Sequence, residues 1–166
     1  FSGGDSAISS RASKPRIEGN TIIDTETAIS RLLSDVTIAG NSIANCQSGI
    51  YVDGRKPTTR SKRIHASAVA EISIWDSLQG TISGNQIDRS QTGVYSKAAN
   101  LTISKNQFQE NDYTIYVKEG SANIHRNIIN QSAEAGIAFW SDADGEVVDN
   151  EIRNTRHGVY TQNADP

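Results

Sequence analysis

A short motif returns at a near-constant interval along the whole chain. It reads Ile17-Glu-Gly-Asn20-Thr-Ile22, Ile38-Ala-Gly-Asn41-Ser-Ile43 and Ile82-Ser-Gly-Asn85-Gln-Ile87. It continues as Ile103-Ser-Lys-Asn106-Gln-Phe108, Ile124-His-Arg-Asn127-Ile-Ile129 and Val147-Val-Asp-Asn150-Glu-Ile152. The asparagines are 21, 44, 21, 21 and 23 residues apart, and 44 is two periods with one coil hidden. A fixed period in this range marks a solenoid or a related array, in which each repeat buries its apolar residues only by stacking on its neighbours.

One repeat shows how the chain turns. Leu101-Thr-Ile103 alternates apolar and polar residues like a half-buried strand, with copies at Val36-Thr-Ile38, Gly80-Thr-Ile82 and Ala122-Asn-Ile124. After the turn carrying Asn106, a second strand points Phe108 inward, matched by Ile22, Ile43, Ile87, Ile129 and Ile152. A polar corner, Glu110-Asn-Asp112, leads to a third strand, Thr114-Ile-Tyr-Val117. Its copies are Gly49-Ile-Tyr-Val52, Gly93-Val-Tyr-Ser96, Gly136-Ile-Ala-Phe139 and Gly158-Val-Tyr-Thr161. Three strands and three corners per period predict an all-β chain, a single parallel β-helix of about seven coils across residues 1–166. The asparagine column is expected to form an amide ladder, as in stacked cross-β arrays, and to take up the left-handed backbone of a sharp corner. Ile64-His-Ala-Ser67-Ala-Val69 reads as the hidden motif, with serine in the asparagine place and Ser73-Ile-Trp75 as its third strand. That alignment leaves Asp53 to Arg63 as an excursion, and the register of residues 60–78 is the least determined.

Hydrophobic residues make up 36% of the chain, enough for a thin columnar core. No run of about 18 apolar residues is present, so no membrane span is expected. A net charge of −3 gives no reason to expect nucleic acid as a partner. The single Cys46 has no internal disulfide partner and reads as a small filler in a column with Thr25, Ser90, Asn111, Ser132 and Thr155. Neither end carries an evident cap, so more chain or a partner subunit is expected over the solenoid ends. Formal glycosylation sequons at Asn100-Leu-Thr102 and Asn130-Gln-Ser132 read as incidental.

The recurring Gly-Asn-x-Ile, followed about eight residues later by Gly-Ile/Val-Tyr, resembles the right-handed parallel β-helix repeat of the pectin-lyase-like superfamily. That superfamily includes pectate and alginate lyases, mannuronan epimerases, polygalacturonases and phage tailspikes. The resemblance implies a carbohydrate-active protein that is secreted, periplasmic or on a cell or virion surface. The Asp-Pro-His-Asp signature of the epimerases and the paired-aspartate motif of the polygalacturonases are not in the chain.

The third strand carries the main candidate site. If Ile50, Ile74, Val94, Ile115, Ile137 and Val159 point inward, then Tyr51, Trp75, Tyr95, Tyr116, Ala138 and Tyr160 point outward. A parallel stripe, Asp53, Ser77, Lys97, Lys118, Trp140 and Gln162, adds polar and charged groups. Tyr51, Trp75, Tyr95, Lys97, Tyr116, Lys118, Trp140 and Tyr160 are therefore the expected substrate-binding residues, for an acidic polysaccharide stacked on rings. A simple structural ladder of stacked rings would use the same residues. The segment Asp53 to Arg63 has five positive charges beside Tyr51. Lyase or epimerase chemistry on a uronate needs a cation for the enolate and a base near the sugar. Arg55, Arg63 and His65 are the catalytic candidates, with Lys56 and Arg60 as further cations and Tyr51 or Tyr95 as alternative bases. Hydrolysis would require two facing carboxylates, for which Asp53 and Asp76 are the nearest pair. Asp142-Ala-Asp144-Gly-Glu146 reads as a polar corner, and His65, His125 and His157 fall on different coils and faces, so neither metal nor cofactor is expected. The alternative to a carbohydrate-active domain is a non-catalytic structural or binding repeat of a larger surface, tailspike or scaffold protein.

Overall fold

The computed structural model describes residues 1–10, 14–30, 35–53, 56–66, 68–77 and 79–166. Every regular element among them is a β-strand, and all the strand pairings are parallel. No helix among the described residues is long and apolar enough to cross a membrane. The strands wind as a β-solenoid of about seven turns with three sheets around one core.

The first sheet stacks Arg16–Glu18, Thr37–Ala39, Thr58–Arg60 and Gly80–Ser83, then residues 101–104, 122–125 and 145–148 of the later coils. The second stacks Thr21–Ile23, Ser42–Ala44, Arg63–His65 and Gln86–Asp88, then residues 107–109 and 128–130, then Glu151–Arg153. The third begins with Ser6–Ser9, Thr27–Ser30, Ser48–Asp53 and Ala70–Trp75 and ends at His157–Gln162. From Thr92 onward, strands run through the third corner without a break, as Thr92–Ser104, Gln107–His125 and Ile128–Val148.

Parallel in-register stacking puts each side chain over its counterpart one period away, about 4.8 Å distant. The core is therefore a set of columns. Ile22, Ile43, Ile64, Ile87, Phe108 and Ile129 form one; Ile29, Ile50, Ile72, Val94, Ile115 and Ile137 form another; all are buried. Each such side chain contributes roughly 1.5–3 kcal/mol on leaving water.

The asparagine ladder is present and carries two bonds per rung. Asn85 Nδ2 donates to Asn106 Oδ1 at 2.9 Å, and the Asn85 backbone N–H donates to the same oxygen at 3.0 Å. Asn106 repeats this on Asn127, and Asn127 on Asn150. The left-handed backbone, however, belongs to the residue before each rung rather than to the asparagine. Gly19, Gly40, Ser61, Gly84, Lys105, Arg126 and Asp149 have φ between 52° and 68°. A glycine adopts this conformation without a Cβ penalty, which accounts for the Gly-Asn pairs in three of these corners. The asparagine is kept for its amide: the left-handed residue turns the chain, and the amide fills the inside of the turn.

The hidden coil differs from the sequence reading. Strand pairing aligns Ile38 with Thr59 and Thr59 with Ile82, and it aligns Ile43 with Ile64 and Ile64 with Ile87. The rung is Lys62, whose backbone N–H donates to Asn85 Oδ1 at 3.2 Å. Ile64 thus belongs to the second strand, and Ser67, read as the rung, lies outside the described residues. The segment read as an excursion is instead built into the stack over Thr58–Arg60 and Arg63–His65. The third strand shifts by two as well: Ile72, not Ile74, pairs with Ile50 and Val94.

Cys46 lies in its expected column, buried, with Sγ 3.2 Å from Thr25 Oγ1. In the same column Ser90 Oγ donates to Asn111 Oδ1 at 2.7 Å.

Candidate functional site

The third sheet presents three outward rows. The central row is Tyr51, Ser73, Tyr95, Tyr116, Ala138 and Tyr160. To one side run Asp53, Trp75, Lys97, Lys118, Trp140 and Gln162. Trp75 was expected in the central row and Ser77 in the lateral one; the two-residue shift places Trp75 in the lateral row and buries Ser77 at the corner. On the other side of the centre run Ser48, Ala70, Thr92, Tyr113, Ala135 and His157.

The rings nevertheless form one continuous ribbon. Successive centroids lie 6.1 Å apart for Tyr51–Trp75, 5.7 Å for Trp75–Tyr95 and 5.6 Å for Tyr95–Tyr116. They lie 5.9 Å apart for Tyr116–Trp140 and 5.5 Å for Trp140–Tyr160. The two coils whose central residue is small, at Ser73 and Ala138, are those with a tryptophan two residues later. Each indole reaches back over the gap to touch the tyrosines of both adjacent coils. Tyr95–Tyr116 and Tyr116–Trp140 are near-parallel stacks, at 19° and 16°. Such pairs add about 0.5–1.5 kcal/mol beyond the area they bury. All six rings are partly exposed, along about 24 Å of solenoid at about 4.8 Å per coil.

Two residues of this face were missed by sequence reasoning. Tyr113 stands edge-on to Tyr116 at 87°, and His157 contacts Tyr160 at 5.5 Å. Both occupy the third row, which has no aromatic pattern of its own to mark it.

Charge on the face is positive beside the central rings. Lys97 Nζ sits 4.9 Å from the Trp75 ring centroid, a cation–π contact. Lys118 pairs with Lys97 in the strand register and lies 3.9 Å from the Glu119 carboxylate, a surface contact of little energy. Burial pushes the Tyr95 phenol above its ordinary value, with the Glu119 charge adding to the effect. Burial does the same to Tyr116, helped by Tyr95 and Tyr113. Both phenols hold their protons near neutrality, so they act as hydrogen-bond donors rather than as bases. The Tyr160 hydroxyl donates to Gln162 Oε1 at 3.0 Å.

The catalytic candidates are not gathered on this face. Arg63 and His65 belong to the second sheet, two rows of another side of the prism. There His65 Nδ1 is hydrogen-bonded to Asp88 Oδ1, and Arg89 lies 3.4 Å from His65 Nε2. Arg89 Nε donates to Glu110 Oε2 at 3.0 Å, and that bond, with one from Gln109, holds the Glu110 carboxyl below the usual range. The chain Asp88–His65–Arg89–Glu110 links the second corners of three coils. Arg55 lies outside the described residues. Lys56 is exposed, and Arg60 is on the first sheet. Asp53 pairs with Trp75 in the lateral row, and Asp76 follows at an exposed left-handed corner (φ 48°). His65, His125 and His157 stand on the second, first and third sheets respectively.

A parallel solenoid whose columns are held by an internal amide ladder defines a β-helix repeat protein. The family described as right-handed β-helix region matches residues 6–156, and the chain belongs to it. The coil is right-handed accordingly, the hand that parallel crossovers favour. No curated protein and no solved structure shows significant similarity to the chain.

Proposed function

We propose that the chain is a carbohydrate-binding β-helix of the pectin-lyase-like kind, and that the third-sheet face holds an acidic polysaccharide along the solenoid axis. The observation that carries this reading is the unbroken ribbon of six partly exposed rings from Tyr51 to Tyr160, beside Lys97 and Lys118. The C–H face of a sugar packs on an aromatic ring, and the lateral lysines supply charge for carboxylates at the ring edge. A ring contacts the next at nearly every coil, so a linear chain would meet a platform with each sugar. Such polymers lie outside cells, which fits a secreted, periplasmic or surface location.

Binding without cleavage is the form of this reading we favour. Tyr95 keeps its proton, and Arg63 and His65 sit on another sheet, engaged with Asp88 and Arg89 or facing solvent. The test is calorimetry with mannuronan, polygalacturonate and neutral glycans, with Tyr95→Ala and Tyr116→Ala as variants. Binding of an acidic chain that both variants weaken at least tenfold supports the proposal. No binding of any glycan overturns it and leaves the rings as a structural ladder. New unsaturated chain ends, read by ultraviolet absorbance, would turn a binding protein into a lyase.

A further inference from the structure

The ribbon has two different flanks. On the lateral side lie Lys97 and Lys118. On the other side is an apolar notch of about 380 Å³ between the ribbon and the second corner. Ala70, Ser73 and Thr92 give it a floor of short side chains. Tyr95 and Trp75 bound it along the ribbon, and Tyr113, perpendicular to Tyr116, bounds it one coil further on. Val69, with 47% of its surface exposed, lies at the outer lip.

This asymmetry matches an asymmetry in 1→4-linked uronates. The glycosidic bonds leave C1 and C4, so the chain axis divides each ring into two edges. The carboxylate on C5 lies on one edge, and the C2 and C3 oxygens lie on the other. Alternate sugars of an extended chain turn opposite edges to one side, and a uronate stacked on the ribbon with its carboxylate toward Lys97 turns its own C2/C3 edge toward the notch. Ser73, Thr92 and Gln91 put some polar groups in the notch, but most of the surface it offers is apolar, and the methyl of an acetyl ester would lose water-exposed surface against Val69, Ala70 and Tyr113. The indole of Trp75 joins the two requirements, since it bounds the notch and also carries the Lys97 ammonium at 4.9 Å.

We infer that the face selects uronate chains esterified with acetyl groups at C2 or C3, the acetyl methyl of one sugar lodging in the notch at Ala70, Ser73 and Thr92 while the carboxylate of that same sugar faces Lys97. This rests on the polysaccharide reading above and adds the substituent to it. The methyl alone would contribute about a fourfold gain in affinity per lodged group.

The experiment compares O-acetylated mannuronan with the same sample after mild alkaline de-esterification, matched in chain length, by calorimetry. The expected result is several-fold tighter binding of the acetylated chain. Thr92→Tyr would lie beside Tyr113 and fill the notch while leaving the six ribbon residues themselves unaltered. It is expected to abolish the preference while binding of the de-esterified chain persists. Tyr113→Ala, which opens the notch, should reduce the preference by a second route. Equal binding of the two chains by the unaltered protein would overturn the acetyl assignment and leave the polysaccharide reading standing. A preference that survives both variants would overturn the assignment to the notch. Binding of neither chain would overturn both.

Discussion

Lys62 occupies a rung of the asparagine ladder, and its backbone N–H donates to Asn85 Oδ1 at 3.2 Å. Its side chain does not continue the ladder: only 3% of the residue is exposed, and Nζ has no hydrogen-bond partner among the described residues. Burial drives the amine well below its ordinary value of 10.5. The same coil puts Thr59 in the isoleucine column with its hydroxyl unpartnered among the described residues, and it buries Glu71 fully. An amine whose pKa is lower in the folded than in the unfolded chain binds fewer protons when folded, at pH values between the two. Stability therefore rises with pH from the folded-state value up to about 10.5, and the penalty is fully present below that window. Lys62→Asn supplies the missing amide, within reach of Asn85 Oδ1 and of the Asn41 amide. We expect the variant to be more stable by at least about 1 kcal/mol at neutral pH. Its advantage should shrink as pH approaches 10.5, as read by urea denaturation across pH. A constant difference across that range would mean the lysine is not the titrating group.

Asn106 sits at the middle of the longest ladder run, and its removal should cost more than a surface amide would. Its Oδ1 accepts from both the backbone and side-chain nitrogens of Asn85, and its Nδ2 donates to Ile82 O at 3.0 Å and to Asn127 Oδ1 at 2.9 Å. Asn106→Ala takes the side-chain partner from the buried Asn85 backbone N–H and the Ile82 carbonyl of the preceding coil, at about 1–3 kcal/mol for each group left unpaired, while Asn127 Oδ1 keeps the bond from the backbone N–H of residue 106. Asn106→Asp keeps the acceptor, loses the donor and buries a charge, so it should be at least as damaging near neutral pH and milder in acid. Thermal denaturation at two pH values distinguishes the outcomes.

Most of this fold was legible because stacking makes identical demands on successive coils. The asparagine and isoleucine columns repeat in sequence since each residue packs on its own copy. The hidden coil escaped because it lacks two of its three markers: Thr59 replaces the isoleucine and Lys62 the asparagine. Only Ile64 survives, and an isoleucine without its asparagine can be placed in either of two strands. A strict period would have found it, since Lys62 lies 21 residues after Asn41 and Ile64 lies 21 after Ile43. That slip carried Trp75 into the wrong row, set Arg63 in an excursion beside Tyr51 and put His65 on the first strand of its coil, when both residues belong to the second sheet. The aromatic face was legible as an outward row of rings interrupted at Ala138 but not as a continuous ribbon. The sideways reach of Trp75 and Trp140 over Ser73 and Ala138 is set by side-chain packing, which the period does not encode.

The phenols offer a direct check on the packing of the face. Of the five tyrosines, Tyr95 and Tyr116 are held above the ordinary phenol value, mainly by burial in the ribbon. In an alkaline titration of phenolate absorbance, Tyr95→Phe and Tyr116→Phe should each remove amplitude from the late part of the curve. Because the folded state keeps these protons longer than the unfolded chain, the two groups make stability fall as pH rises through and above about 10. Both phenylalanine variants should therefore tolerate alkali better than the unaltered protein. Loss of amplitude from the early part of the curve instead would mean that these rings are solvated and the ribbon is open.

Both tryptophans of the chain, Trp75 and Trp140, belong to the ribbon, so indole emission reports on this face alone. A glycan stacked along it covers the rings and excludes water, which should shift the emission to shorter wavelength and change its intensity in a saturable way. Trp75→Phe keeps a ring between Tyr51 and Tyr95 and leaves Trp140 as the sole reporter, while Trp140→Phe leaves Trp75. A chain spanning the roughly 24 Å ribbon must perturb both reporters with one apparent affinity. A short oligosaccharide seated beside Lys97 should perturb Trp75 more strongly, because that ammonium lies over its ring. A ligand held instead by Arg63 and His65 on the second sheet would leave both emissions unchanged, since neither indole belongs to that sheet. Emission that stays constant while calorimetry records binding would move the site off the aromatic face altogether.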